Sequence, residues 1–278
     1  MEFRVDTSSL ASDDHPRRNE DACFASPEGY LGVFDGVGGH EGSEEASQFI
    51  ATYCLDALRR APQIIDRQAN EYRLREMLEH ARDALVHEGM EQHLGYISTT
   101  AVLGQVTYDP DTYTPFIHLP HAGDSRGYLI RDGGVVAITL DHGIAGPNAI
   151  VQRFLSSTHY ATEIPDEYRY FVATRNMITS ALSSMPSRLD IRLDCDTHEL
   201  MPDDIVLLTS DGVHDNLTDD EIVDIITHGS IQDLTEQARK TARRANDEPY
   251  RVDGVTRYRH NFRPKFDDIT AAVLYVPQ

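Results

Sequence analysis

Apolar residues recur along this chain with two different periods, and each predicts a different kind of element. Runs at 30–34, 100–108, 114–121, 127–130, 135–140, 205–209 and 269–276 have the length and composition of strands. Asp132 and Gly133 stand between two of these runs, which predicts a tight hairpin and hence an antiparallel component. From Ser43 onward the period changes. Ala46, Phe49, Ile50, Tyr53, Cys54, Ala57 and Leu58 form one helical stripe that Pro62 ends. A second helix, 71–92, carries Leu74, Leu78, Ala81 and Leu85 on one face. A third, 219–227, opens with Thr218 as N-cap and Glu221 three residues on, a capping box. A fourth is predicted over 231–245. Strands grouped between helices, with hairpins among them, predict an α+β fold whose sheets are covered by helices. The stretch 141–188 mixes Gly, Pro, Ser and short apolar pieces, and reads as a flap-like excursion within a single domain spanning 1–278.

Composition narrows the function classes. With 40% hydrophobic and 26% charged residues the chain is globular and long enough for a substantial core. Its 25 Lys+Arg against 46 Asp+Glu leave a net charge of −21. That balance argues against nucleic-acid binding, which draws its affinity from phosphate counterion release, and against docking on anionic lipid. Charges at Glu2, Arg4 and Asp6 fall where a signal peptide would need an apolar core, and the apolar run at 269–276 is far too short to cross a bilayer. Cys23, Cys54 and Cys195 offer neither a disulfide framework nor a CxxC metal site, so the expected compartment is the cytoplasm.

The chemistry lies among the acids. Three Asp residues sit beside a Gly at or near the end of a strand-like run: Asp35-Gly36, Asp211-Gly212 and, less cleanly, Gly123-Asp124. A strand end fixes a carboxylate, and the neighbouring Gly lets backbone or ligand approach closely. Asp267-Asp268 adds a like-charged pair that costs energy unless a cation compensates it. Hard oxygen ligands in this number suit Mg²⁺ or Mn²⁺, and no Cys/His pattern suggests zinc. Two such ions about 3.5–4 Å apart can clamp a phosphate and ionise a water between them. An aspartyl-phosphate route is disfavoured, because it needs a second Asp two residues after the first and Asp35 is followed by Gly36 and Val37. The glycine-rich run 36–42 misses the dinucleotide spacing, with Glu41 where a Gly is required, so a nucleotide-binding oxidoreductase is a distant alternative.

Several segments then match a family in order. They are Arg17-Arg18-Asn19-Glu20-Asp21-Ala22, Val33-Phe34-Asp35-Gly36-Val37-Gly38-Gly39-His40, Ser98-Thr99-Thr100-Ala101, Ala122-Gly123-Asp124-Ser125-Arg126-Gly127, Thr209-Ser210-Asp211-Gly212-Val213-His214-Asp215 and Asp267-Asp268-Ile269-Thr270. A weaker match covers 176–182. Together they resemble the metal-dependent protein phosphatases of the PP2C (PPM) family in their compact bacterial form, over about residues 15–276. The resemblance implies a four-layer αββα sandwich, two central antiparallel sheets flanked by helix pairs. It implies that Asp35 bridges two Mn²⁺ or Mg²⁺ ions, with the Gly36 carbonyl and Glu20 on one and Asp211 and Asp267 on the other. Asp124 would help hold a third, weaker ion and share Asp211, and Asp21 would orient water from behind the ligands. The implied reaction is hydrolysis of phosphoserine or phosphothreonine in proteins by metal-activated water, with no phosphoenzyme. The expected partners are phosphorylated substrates of a Ser/Thr kinase, and the expected state is a monomer.

The chain departs from the family pattern in three places. The family's phosphate-binding Arg would fall at Pro16, leaving Arg17 or Arg18 as the candidate. The Asn that follows the last ligand is Asp268, so ligand and supporting roles fall to Asp267 and Asp268 with a one-residue ambiguity, Asp267 being preferred by register. The general-acid His of some members would fall at Val37, with His40 the nearest histidine. His118, His121, His142 and His214 read as structural, and Asp215 as a cap for the segment that follows it. Ser98-Thr99-Thr100 reads as packing at a strand start. The displaced Arg feeds one alternative, an inactive pseudophosphatase that serves as a binding module.

Overall fold

The two periods of the sequence separate into layers in the computed structural model, which describes residues 2–37, 42–93, 95–144, 148–185, 191–252 and 255–278. In chain order the elements are β1 (Arg4–Leu10), β2 (Ala22–Ser26), β3 (Tyr30–Phe34), α1 (Ser43–Arg59), α2 (Arg67–Glu91), β4 (Ser98–Thr99), β5 (Ala101–Tyr108), β6 (Pro115–Ala122), β7 (Arg126–Arg131) and β8 (Gly134–Ile138). There follow α3 (Ala149–Ser157), α4 (Arg169–Thr174), β9 (Leu182–Ser183), β10 (Asp194–Glu199), β11 (Ile205–Thr209), α5 (Asp211–His214), α6 (Asp219–His228), α7 (Ile231–Ala242), β12 (Asp247–Val252), β13 (Val255–His260) and β14 (Ile269–Tyr275). Two five-stranded antiparallel sheets are ordered β1-β14-β11-β7-β8 and β10-β6-β5-β3-β2.

Three apolar clusters define the four layers. Leu31, Val33, Val102, Val106 and Ile117 of one sheet meet Leu129, Val206, Leu208, Ala272 and Leu274 of the other in the sandwich interior. The outer face of the first sheet, with Phe34 and Leu103, packs on Ile50, Cys54 and Leu58 of α1 and Leu74, Leu78 and Leu85 of α2. The outer face of the second, with Tyr128, Leu207 and Val273, packs on Ile222 and Ile226 of α6 and Leu234 and Ala238 of α7. The αββα order is therefore the arrangement in which each sheet buries one face on its partner and the other on a helix pair. Among the described residues, no helix is long and apolar enough to cross a membrane.

All seven sequence-read strands form, and the hairpin between β7 and β8 turns at Asp132 and Gly133, both with positive φ (52° and 72°). The capping box at Thr218 and Glu221 is present, while α2 starts four residues earlier than read because Asp66 accepts the Ala69 N–H. Within the two five-stranded sheets the strands that the pattern misses, β1, β2 and β10, are all at sheet edges, and it misses both strands of the small pairs β4-β9 and β12-β13. An edge strand tolerates charge and needs it against edge-to-edge pairing, so Asp-Cys-Asp-Thr-His-Glu carries no apolar signature. The segment 141–188 contributes α3, α4 and β9, and the hairpin β12–β13 stands beside it through a Tyr160 hydroxyl bond to Glu248 (2.7 Å).

Candidate metal centre

Antiparallel pairing brings the acid-bearing strand ends to one end of the sandwich. Glu20 precedes β2, Asp35 and Gly36 follow β3, Asp124 lies between β6 and β7, Asp211 follows β11, and Asp267 precedes β14. All six residues line one open cavity of about 300 Å³, together with His15, Val37, Thr100, Asn176, Ile178 and Lys265.

The backbone around these residues is held by specific bonds. Asp35 donates its N–H to Thr100 Oγ1 (3.1 Å), and its carbonyl accepts from Thr100 N–H (2.8 Å) and Thr99 Oγ1 (2.9 Å). Thr100 Oγ1 also meets Ser125 Oγ at 2.7 Å. The hydroxyl run read as packing thus fixes the turn that presents Asp35. The glycines beside the acids have no space for a side chain. A Cβ on Gly212 would stand 1.9 Å from the Asp268 carbonyl oxygen, and one on Gly36 would stand 2.7 Å from that of Glu20. Close backbone approach, the role expected of these Asp-Gly pairs, is what both positions require.

The ambiguous acid pair divides cleanly. Asp268 does not line the cavity: its Oδ1 accepts the Ser12 N–H (2.7 Å) and its Oδ2 the Glu20 N–H (2.6 Å). It therefore ties the Glu20 loop to the start of β14, while Asp267 faces the cavity. Asp268→Asn leaves one acceptor for two buried amides and is expected to lower stability by about 1–2 kcal/mol, read from a urea midpoint.

The two arginines do not reach the cavity. Arg17 is exposed, and Arg18 pairs with Glu20 Oε1 at 2.5 Å and Glu44 Oε2 at 3.5 Å. The loop places His15 there instead, and its Nδ1 donates to the Arg18 carbonyl (2.9 Å), a bond that raises its pKa. Asp215 does not cap the next helix, because Thr218 does. Its carboxylate lies 3.4 Å from Lys265 Nζ and 3.5 Å from Arg175 Nε. His40 lies outside the described residues.

Electrostatics mark the cavity as short of positive charge. Burial, then Asp21, Asp211, Asp267 and Asp124, push Asp35 well above the usual carboxylate range. Burial and Asp141 lift Asp124 to about 7, and burial with Asp268 and Asp267 lifts Asp21 to about 8. Asp211 is likewise raised by burial despite Lys265. Its Oδ1 is buried with no hydrogen-bond partner among the described residues. A buried, unpartnered carboxylate oxygen among crowded hard donors fits a divalent cation.

The cation that is present, Lys265, was not read from the sequence. Its Nζ bonds Asp211 Oδ2 and lies 2.9 Å from Asp267 Oδ2. Burial opposes its charge, but Asp211, Asp215 and Asp267 outweigh that and hold its pKa well above the usual lysine value. The available signal was its place two residues before Asp267. His15 and Asn176 had no signal beyond proximity in space.

A second group, His121, His142 and Asp194, brings possible ligand atoms within 4.8 Å of one another. Its bonds are already made. His142 accepts the Gly123 N–H on Nδ1 (3.3 Å) and faces Asp194 with Nε2 (3.2 Å), while Arg192 Nη2 pairs with that same Asp194 oxygen at 2.5 Å. Burial lowers the His142 pKa to about 4. His142 is thus a neutral brace behind the Asp124 loop.

Comparison with known proteins finds relatives of this chain and of its fold. The serine/threonine protein phosphatase PstP of Mycobacterium tuberculosis is 28% identical over 234 residues, covering 80% of this chain and 38% of the relative, so the chain spans well under half of that protein. The serine/threonine phosphatase stp of Listeria welshimeri is 24% identical over 250 residues, covering 88% and 89%. The crystal structure of the PstP catalytic domain in complex with two manganese ions superposes with a TM-score of 0.70 at 23% identity, over 100% of this chain and 99% of that one. A sequence model of the family described as Protein phosphatase 2C matches residues 8–148, just over half of the chain. With that match, and with two antiparallel sheets between helix pairs, the chain belongs to the protein phosphatase 2C family.

Proposed function

We propose that this chain hydrolyses phosphoserine and phosphothreonine in proteins, using two Mn²⁺ or Mg²⁺ ions at the cavity lined by Glu20, Asp35, Gly36, Asp124, Asp211 and Asp267. The observation that carries the reading is the convergence of these oxygen donors on one cavity with Asp211 Oδ1 left unpartnered. Asp35 would serve both ions, the Gly36 carbonyl and Glu20 one of them, and Asp211 and Asp267 the other. Asp124 would add a weaker third site with Asp211. The two manganese ions of the PstP catalytic domain support this count. When bound, such ions place Lewis-acid charge on a phosphoryl group and make a water ionisable near neutral pH.

The chain's own residues set the conditions for that chemistry. Asp268 holds the Glu20 loop, and the Thr99–Thr100 hydroxyls hold Asp35. Among the described lining residues the one hydroxyl, Thr100 Oγ1, is taken by Ser125 and the Asp35 N–H, which supports a route without a phosphoenzyme. His15, nearer the cavity than Arg17 or Arg18, is the group placed to meet the substrate phosphate. A cytoplasmic monomer acting on substrates of a Ser/Thr kinase completes the reading.

Hydrolysis of a phosphothreonine peptide is expected in Mn²⁺ and is expected to fall to background in excess EDTA. Activity that survives EDTA sinks the metal mechanism. The alternative, a pseudophosphatase, draws on one observation, that neither Arg17 nor Arg18 lines the cavity. It is favoured if the wild-type rate in Mn²⁺ equals that of Asp35→Ala.

A further inference from the structure

Lysine is almost absent from this chain. Of 25 basic residues two are lysines, Lys240 and Lys265, and the other 23 are arginines. Lys240 is exposed on α7. The Lys265 side chain is 15% exposed, and its ammonium stands among Asp211, Asp267 and Asp215. Its main chain is clamped as well. The buried Asn216 accepts the Lys265 N–H (3.0 Å) and donates to the carbonyls of Lys265 (2.9 Å) and Gly212 (2.9 Å). One carboxamide therefore locks Lys265 to the turn that carries Asp211.

The choice of residue matters at this position. A guanidinium is a flat fork suited to two parallel acceptors, whereas an ammonium is a compact charge with three donors on a flexible stem. Three carboxylates converging from two segments, Asp211 and Asp215 at the ends of α5 and Asp267 before β14, suit the compact charge, as they suit a small metal ion. An arginine-rich chain that places a lysine here has the one side chain able to stand in for an ion and still swing aside.

We propose that Lys265 is an internal cation holding the place of the ion assigned above to Asp211 and Asp267, and that a divalent ion enters there by displacing it. The inference rests on that assignment of ligands. It follows that the protein takes up one ion, on the Glu20 and Gly36 side of Asp35, at least tenfold more tightly than the second. Phosphatase output then responds to divalent ion concentration over the range in which the second ion competes with Lys265.

Two measurements test this on the full chain. In calorimetric titration with Mn²⁺, the wild type is expected to show a tight and a weak step, and Lys265→Met is expected to tighten the weak step at least tenfold. Because Lys265→Met removes the cation that pairs with Asp211 and Asp267 and can misfold, the second measurement uses the wild type alone. Acetylation by a water-soluble succinimidyl ester, read by mass spectrometry, is expected to modify Lys240 under all conditions. Lys265 is expected to be protected in EDTA and at least fivefold more reactive in saturating Mg²⁺. Two equally tight ions in the wild type, or a Lys265 that stays protected with both ions bound, overturns the displacement while leaving the metal-centre reading intact. No Mn²⁺ uptake by either protein overturns both.

Discussion

Asp35→Ala is expected to abolish Mn²⁺-dependent phosphatase activity, lowering kcat/KM by at least about a thousandfold, or about 4 kcal/mol of transition-state stabilisation. The size follows from position. Asp35 follows β3 directly and lines the acid cavity, and under the proposed assignment it is the one carboxylate shared by both ions. Its loss therefore cannot be compensated by adding more metal. The same substitution is expected to stabilise the metal-free protein. Asp35 is held well above the carboxylate range by burial and four neighbouring acids, so its ionised form is a liability to the fold until a cation is present. Melting curves in EDTA should thus place Asp35→Ala above the wild type, and Mn²⁺ should raise the wild-type midpoint much more than that of the variant. A variant that keeps a tenth of the wild-type rate, or that gains as much from Mn²⁺, sinks the assignment of Asp35.

What the sequence revealed and what it hid divide along physical lines. Strands buried on both faces, such as β3, β5, β11 and β14, announce themselves because most positions are apolar with no polar alternation. Edge strands do not, since no position of β10 or β1 is fully buried. The Asp-Gly pairs were legible because a chain constraint, no space for a Cβ, is written into the residue type itself. The division of labour between Asp267 and Asp268 was not. Two adjacent Asp residues look alike until one is seen to spend both oxygens on the amides of Ser12 and Glu20, 256 and 248 residues away in sequence. Lys265 was hidden for the same reason: the partner that gives it meaning, Asp211, is 54 residues distant. Arg17 and Arg18 stand beside the motif position of a phosphate-binding Arg, which is Pro16 in this chain, and the pairing of Arg18 with Glu20 depends on a local geometry that the motif does not encode.

The second large effect is expected at Arg263, which no motif selects. Its side chain is 2% exposed and makes no carboxylate pair among the described residues. Instead Nε donates to the Thr158 carbonyl (2.8 Å), Nη1 to those of His214 (2.7 Å) and Leu217 (2.8 Å), and Nη2 to that of Leu155. Leu155 and Thr158 lie at the C-terminal end of α3, and His214 at that of α5, where helix carbonyls lack internal partners and attract a cation. Burial lowers the Arg263 pKa to about 10, which still leaves it charged at neutral pH. One guanidinium thus joins the α3 segment to the turn that follows Asp211. Arg263→Met preserves much of the volume but strands four buried carbonyls, each worth about 1–3 kcal/mol when left unmade, with partial relief by relaxation. A loss of about 4 kcal/mol is expected, a fall in Tm on the order of 10 °C, with early proteolysis between residues 149 and 175. Arg263→Lys should recover less than half of it, because an ammonium carries three donors at one point and cannot make the four bonds that the extended guanidinium fork makes. A loss below about 1 kcal/mol for the methionine variant would mean that the two segments hold together without the guanidinium, through contacts such as Arg175 with Asp215 and with the Phe262 carbonyl.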